Sequence, residues 1–279
     1  MITMILRVVF VLIVSAGLYL WHKSAEKNIV YSAKEKEVRT QQDSTKALQP
    51  QGNNQESGEQ AEREKEQEKE REKERESETN ADKLPESISN AVPFVAQAPL
   101  AQWDDKRFQD ACEEASILMA YQWVGGDQEL SNEGATATLE KIFEAQKPLF
   151  GEDTIDTSLS DTALLMEEFF DYEPQIIEDI TLDDMLQALA KDQIIIIPTD
   201  GTKLKNPYFS GDGPDRHMLV VTGYDQAKRE FTTNDPGTKR GKEFNYDYDL
   251  LYGAIRDYKT GIKEPIEDEY KNMMVVEKS

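Results

Sequence analysis

Two side chains carry the thiol and imidazole chemistry available to the polar part of this chain. Among its 279 residues there is one cysteine, Cys112, and of the two histidines only His217 lies beyond residue 22. A lone cysteine most often packs as a small apolar residue. A neighbouring imidazole would change that assignment, because a cationic partner lowers the pKa of a thiol and turns it into a nucleophile.

Cys112 lies near the start of a helix predicted over residues 110–124. After its first turn this segment is apolar on nearly every side, which indicates a helix buried in the middle of a fold. Asp110 and Glu113 have the spacing of a capping box, so Asp110 is the expected N-cap. The helix dipole favours a thiolate by only about 0.3 to 1 kcal/mol. The sequence therefore requires a cationic partner for Cys112.

The two acids that follow the cysteine, Glu113 and Glu114, are interpreted as first-turn residues favoured by the helix dipole rather than as catalytic groups. Their negative charges oppose the ionisation of Cys112. They are the feature of the sequence that argues most strongly against a reactive thiol.

A predicted β-hairpin supplies the partner and its orienting group. The strands cover residues 218–223 and 230–234, and His217 opens the first of them. A three-residue loop places His217 directly opposite Asp235, on the same face, so a carboxylate can orient the imidazole. A loop one residue longer would put Pro236 opposite, leaving Asn234 or Asp235 as a diagonal neighbour.

The remaining periodic segments predict an α+β fold in which helices come first and a mostly antiparallel sheet follows. Thr181 and Asp184 have the spacing of an N-cap and its acidic partner at the start of one helix. The other segments are helices over residues 134–146, 160–171 and 181–191, and strands over residues 194–198 and 273–277.

The amino-terminal segment predicts a membrane anchor. Residues 8–21 form a mostly apolar run after Arg7, and no convincing cleavage site follows, so residues 1–23 are expected to remain as a single-pass helix. The lysines after the run would favour a cytoplasmic carboxyl side. The order of a short basic end, an apolar run and a long polar linker instead favours export, so we expect an extracytoplasmic domain.

Composition separates a spacer from one domain and excludes several kinds of partner. Residues 24–87 are highly charged with few apolar side chains, which predicts a disordered tether, and residues 88–279 can hold one core. A net charge of -23 argues against nucleic-acid binding. One cysteine and two histidines cannot form a usual four-ligand structural zinc site, and no metal or cofactor is predicted.

Several segments around these residues together resemble the peptidase C39-like domains, cysteine peptidase family 39. They are residues 92–105, 107–116, 216–218, 220–225 and 234–237. These domains are papain-like and are related to the bacteriocin-processing peptidases that cut after a double-glycine leader. The resemblance spans about residues 92–277 and leaves the anchor and the spacer outside.

The resemblance implies a role for each candidate residue. Cys112 corresponds to the nucleophile, His217 to the general base and acid, Asp235 to the orienting residue and Gln97 to the side-chain donor of the oxyanion hole. The backbone N–H of Cys112 would be the second donor. The implied fold is papain-like, with the nucleophile helix packed on the sheet, and the implied substrate is a peptide or protein.

Two departures from the family pattern keep the specificity open. Most relatives have Gly-Pro after the cysteine, where this chain has Glu113-Glu114, and no transporter domain follows, which argues against leader-peptide processing. The leading hypothesis is a membrane-anchored thiol-dependent peptidase. The alternatives are an acyl transferase or transpeptidase with the same three residues, and an inactive surface binding module. The sequence also leaves the oligomeric state open.

Overall fold

The computed structural model describes residues 84–151, 155–267 and 269–278. The predicted anchor and all but the last four residues of the predicted spacer lie outside these ranges. Within the described ranges, no helix combines the length and the apolar character needed to cross a bilayer. Ser87, the last residue of the predicted spacer, is the first residue of a strand.

Seven strands of the described chain form one sheet in which every pairing is antiparallel. The order across the sheet is β2-β7-β3-β4-β5-β6, and β1 pairs with the far end of the long strand β4. The strands are β1 (Ser87–Ser89), β2 (Gln175–Ile177), β3 (Ile194–Thr199), β4 (His217–Asp225), β5 (Glu230–Asn234), β6 (Phe244–Asp247) and β7 (Met273–Val276).

Helices cover both faces of this sheet. Three of them share one hydrophobic core with one face, and two shorter ones pack on the opposite face. The first group is α2 (Cys112–Gly125), α3 (Asn132–Phe150) and α4 (Leu159–Phe170), the second is α5 (Leu182–Ala190) and α6 (Tyr248–Ala254), and the four-residue α1 (Lys106–Gln109) precedes α2.

Strand β3 shows why the sheet is buried on both sides. Ile194 and Ile196 belong to the core that contains α2, whereas Ile195 and Ile197 belong to the opposite core, as the period of two along a strand requires. All four are 0% exposed, and burial of each contributes roughly 1.5 to 3 kcal/mol. The central strands are therefore rigid supports for whatever lies at their ends.

The predicted α+β class is confirmed, but the predicted start of α2 is wrong. The helix begins at Cys112 with Ala111 as its N-cap, and Ala111 has no side chain that could cap it. Asp110 instead terminates α1, and its backbone N–H donates to the carbonyl of Lys106. Asp110 is the C-cap of the preceding helix, so it cannot also be the N-cap of α2. The predicted N-cap Thr181 with its partner Asp184 does form at the start of α5.

The predicted hairpin register is also wrong. Asp225 pairs with Glu230, so four residues rather than three form the loop, and a bulge then shifts the pairing so that Val220 lies opposite Asn234. The Asp225 carboxylate accepts the Lys228 N–H at 3.0 Å, and Arg229 takes a left-handed φ of 57°. These two local features stabilise the longer loop. His217 consequently extends past the end of β5 and has no partner residue in that strand.

Candidate active site

Cys112 is held between the start of α2 and the start of β4. Its side chain is 3% exposed, and its Sγ accepts a hydrogen bond from the Met218 N–H at 3.3 Å. Cys112 is the first residue of α2, so its own backbone N–H has no partner within the helix. Among the described residues this N–H makes no hydrogen bond, and it is available to a bound group.

His217 and Asp235 form a buried pair even though they are not opposed in the sheet. The His217 Nε2 lies 2.8 Å from the Asp235 Oδ1, and the side chains are 1% and 0% exposed. Asp235 follows β5 directly, and its N–H donates to the carbonyl of Gly241 at 2.9 Å. This turn brings the carboxylate back toward β4. The predicted contact between His217 and Asp235 therefore forms, although the hairpin register from which it was predicted is wrong.

Three further donors fix the Asp235 carboxylate. Its Oδ2 accepts the Tyr246 hydroxyl at 2.6 Å and the Asn206 side-chain amide at 3.0 Å, while its Oδ1 accepts the Gly237 N–H at 3.0 Å. Burial alone would raise the pKa of Asp235, but the nearby His217 and these hydrogen bonds lower it below its ordinary value. Asp235 is therefore ionised and can only accept hydrogen bonds.

The ionised carboxylate determines the tautomer of the neutral imidazole. Since Asp235 accepts, the hydrogen of the His217 ring is on Nε2, and Nδ1 is the nitrogen with a free lone pair. The ring also packs edge to face on Phe209, with centroids 5.2 Å apart. A Cβ at Gly237 would lie 2.9 Å from both the His217 Cε1 and the Phe209 Cε1, so only glycine leaves the imidazole in this position.

Cys112, His217 and Gln97 line the same cavity, which has a volume of about 260 Å³. Asp235 lies behind the imidazole and does not contribute to this lining. The arrangement brings a thiol, a base and an amide to one cleft, with the carboxylate positioned to orient the base. The charged residues that also line the cleft are Asp110, Asp156, Asp215, Arg216 and Lys263.

Gln97 faces the cleft, but its donors are engaged. Its side-chain amide donates to the carbonyls of Phe108 and Gln109, at 3.1 and 2.7 Å, which uses both amide hydrogens. Its backbone N–H donates to the carbonyl of Pro236 at 2.9 Å. Gln97 thus joins the start of α2 to the loop after Asp235. Donation to a bound oxyanion requires that one of the two side-chain bonds opens.

The two acids after Cys112 are buried instead of projecting into solvent. Glu113 and Glu114 are 0% and 1% exposed. The Glu113 Oε2 accepts the Cys112 thiol at 3.1 Å and its Oε1 accepts the Tyr258 hydroxyl at 2.7 Å, while Glu114 accepts the side-chain amide of Gln146. Tyr258, like Tyr246 and Asn206, was missed by sequence reasoning, because an isolated tyrosine or asparagine carries no pattern.

Burial and neighbouring charges keep Cys112 in its thiol form. Burial is the largest cause that raises the pKa of Cys112 well above its ordinary value, followed by the negative charge that Glu113 carries when it is ionised and by that of Asp156. No hydrogen bond joins Cys112 to His217 within the described ranges, and the thiol donates to Glu113 instead. Catalytic hydrogen bonds are commonly long before substrate binds, so this geometry describes the resting state.

A cysteine at the start of a buried helix, across a cleft from a histidine held by a carboxylate on a sheet, defines the class of papain-like cysteine peptidases. The model of the Peptidase_C39-like family matches residues 89–271 of the sequence. The chain belongs to this family. In the described part of the chain, no cluster of three or more histidine, cysteine or acidic side chains could hold a metal ion.

Two of the solved structures that match this chain have low sequence identity to it. A C39-like peptidase from Bacillus anthracis is 14% identical with a TM-score of 0.44, and the match covers 70% of this chain and all of that one. Xylellain, a cysteine protease from Xylella fastidiosa, is 14% identical with a TM-score of 0.32, covering 71% of this chain and 87% of that one. No curated protein matches the sequence.

Proposed function

We propose that this chain is a membrane-anchored peptidase that hydrolyses peptide or amide bonds with Cys112, His217 and Asp235. The observation that carries the proposal is the cleft itself: the only thiol of the chain and the Asp235-bound imidazole open on the same cavity. A solitary cysteine that served only for packing would not need a buried histidine and carboxylate beside its cavity.

The proposed reaction begins with transfer of the Cys112 proton to the His217 Nδ1. The thiolate attacks the substrate carbonyl. The resulting oxyanion accepts one hydrogen bond from the Cys112 backbone N–H and another from the Gln97 side-chain amide, whose bond to the Phe108 carbonyl opens. His217 then gives its proton to the leaving amine, and a C–N bond breaks while a thioester remains. Water, deprotonated by His217, attacks the thioester, releases the carboxylate and restores the thiol.

The surroundings of the cleft suit an extended peptide. A cavity of about 580 Å³ shares Gln97 and Pro214 with the cleft and is lined by the half-exposed rings of Trp103 and Tyr208. A third cavity of about 400 Å³ shares Arg216 with the cleft. Aromatic walls of this kind bind apolar side chains, so we expect the residues on either side of the scissile bond to occupy these neighbouring cavities.

Replacing Gln97 with alanine is expected to lower kcat/KM by about 10²- to 10³-fold without abolishing turnover, because one of two oxyanion donors is lost. The matched control is Gln102→Ala, which removes an amide that contacts Thr136 away from the cleft and should leave kcat/KM within about twofold. Hydrolysis of a peptide library by the full chain gives the measurement. Equal rates for the two variants would remove Gln97 from the oxyanion hole.

One observation favours a second candidate function, a binding module without activity. In the resting state the Cys112 thiol donates to Glu113 and not to His217, which is the contact expected if Glu113 suppresses the thiolate. The two functions differ in product: a peptidase generates new amino termini from a peptide, whereas a binding module retains the peptide unchanged. Mass spectrometry of peptides incubated with the wild-type chain separates them.

The proposal includes the anchor at residues 1–23 and an extracytoplasmic domain, supported by the apolar run and its order relative to the spacer. Protease treatment of intact cells that express the full chain tests both. We expect the domain to be released from the surface while cytoplasmic proteins survive. A domain degraded only after lysis would contradict the topology, and a domain that stays in the soluble fraction would contradict the anchor.

A further inference from the structure

The side chain of Glu113 lies against the reacting atom of the site. Its Oε2 is 3.1 Å from the Cys112 Sγ, and the carboxyl group is completely buried. An acid that interacted only with the helix dipole would stabilise the helix by about 0.3 to 1 kcal/mol while its side chain remained hydrated. A buried carboxylate costs several times that amount unless a cation pairs with it. Among the described residues no lysine, arginine or histidine forms an ion pair with Glu113.

The balance of the groups around Glu113 disfavours a negative charge on it. Burial is the largest cause that raises the pKa of Glu113, and the charge of Asp156 adds to it, bringing the pKa to about 8. Tyr258 and Cys112 donate hydrogen bonds that lower the pKa in part. Glu114 on the same helix is also an acid and cannot pair with Glu113 as a cation. Burial and the charge of Glu113 raise the pKa of Glu114 well above its ordinary value. At neutral pH Glu113 is mainly a neutral acid.

The hydrogen bonds around Glu113 fix where its proton lies. Once the thiol has ionised it no longer donates to Oε2, whereas the Tyr258 hydroxyl still donates to Oε1 at 2.7 Å. In that state Oε1 is the carbonyl oxygen of the neutral acid and Oε2 carries the hydrogen. Oε2 is the oxygen that contacts the Cys112 Sγ. The Met218 N–H also donates to this sulfur, at 3.3 Å. A sulfur anion here would therefore receive two hydrogen bonds.

We propose that Glu113 is a further catalytic residue, a neutral carboxylic acid whose hydroxyl donates a hydrogen bond to the Cys112 thiolate. This inference rests on the proposed function and deepens it. The thiol proton goes to His217, while the Glu113 proton stays on Oε2 throughout the cycle. Hydrogen bonds to an ionised acceptor are about twice as strong as neutral ones, so the contact strengthens when the thiol ionises. When Glu113 loses its proton, its charge opposes the thiolate.

The test is the fraction of thiolate in the full chain, read from its ultraviolet absorbance against pH without any substrate. Glu113→Gln keeps a neutral donor of the same shape, so near pH 7 its thiolate fraction should stay within about threefold of wild type. Glu113→Leu keeps the volume and removes the donor, and the population ratio of thiolate to thiol should fall about 10- to 100-fold. A thiolate fraction above that of wild type in either variant, or an equal fall of the thiolate fraction in both, would overturn the proposal.

Two additional measurements cover the case in which Glu113→Leu does not fold. Tyr258→Phe removes the donor that fixes the acid proton on Oε2, so the ratio of thiolate to thiol should fall while Glu113 stays in place; an unchanged or higher ratio would overturn the proposal. The difference between the infrared spectra of wild type and of Glu113→Gln at pH 7 should contain the carbonyl band of a neutral carboxylic acid. A carboxylate band in its place would overturn it as well.

These outcomes are separate from those that test the peptidase itself. Loss of peptide hydrolysis in Cys112→Ala bears on the proposed function, whereas the thiolate fraction bears only on Glu113. An active enzyme whose thiolate fraction is unaffected by Glu113→Leu would retain the first proposal and reject the second.

Discussion

Replacing Cys112 with alanine is expected to abolish hydrolysis, with a loss of about 10⁵-fold or more in kcat, as when the nucleophile of a catalytic triad is removed. No other thiol can substitute, because the chain has one cysteine. Alanine is well tolerated in the first turn of a helix, so the fold should persist. The measurement is peptide turnover by the full chain, with circular dichroism to verify folding.

Ser116 provides a matched control for Cys112. It lies one turn later on α2 and its hydroxyl donates to the Cys112 carbonyl at 2.7 Å. Ser116→Ala should lower the free energy of unfolding by about 1 kcal/mol and leave kcat within roughly tenfold, because the thiol itself remains. Full activity in Cys112→Ala would contradict a thiol mechanism. Equal losses in the two variants would indicate damage to the helix rather than to a nucleophile.

Replacing His217 with glutamine is the second large expected effect. The imidazole is the only base in the described cleft that Asp235 orients, so its removal should lower kcat by about 10³- to 10⁴-fold. Asp235→Asn should cost less than His217→Gln, since an amide oxygen can still accept the Nε2 hydrogen. Steady-state kinetics of both variants give the measurement. A larger loss for Asp235→Asn than for His217→Gln would contradict the proposed roles.

Some features of the fold could be predicted because they follow from periodic patterns. The buried helix around Cys112 and the isoleucine strand β3 have strong apolar signals, and each was predicted within a few residues of its bounds. The three-residue strands β1 and β2 and the short helix α6 were not, because segments this short hold too few residues to establish a period.

The sequence predicted which side chains lie together, but not the geometry that brings them there. Cys112, His217 and Gln97 line one cleft, as their motifs implied, and Asp235 binds the imidazole. The register failed because an Asp225 side-chain bond and a left-handed Arg229 lengthen the turn. No one-dimensional pattern encodes such contacts. The burial of Glu113 could not be predicted for the same reason, since its partner Tyr258 lies 145 positions further along the sequence.

The proposed mechanism depends above all on His217 making the Cys112 thiol reactive near neutral pH. The most direct test is the rate of iodoacetamide alkylation of the full chain against pH, followed by intact mass, for wild type and His217→Gln. Because there is one cysteine, one added label reports on this site alone. We predict that near pH 6.5 wild type reacts at least about tenfold faster than His217→Gln. Identical profiles that rise only above about pH 8.5 would contradict this role of His217.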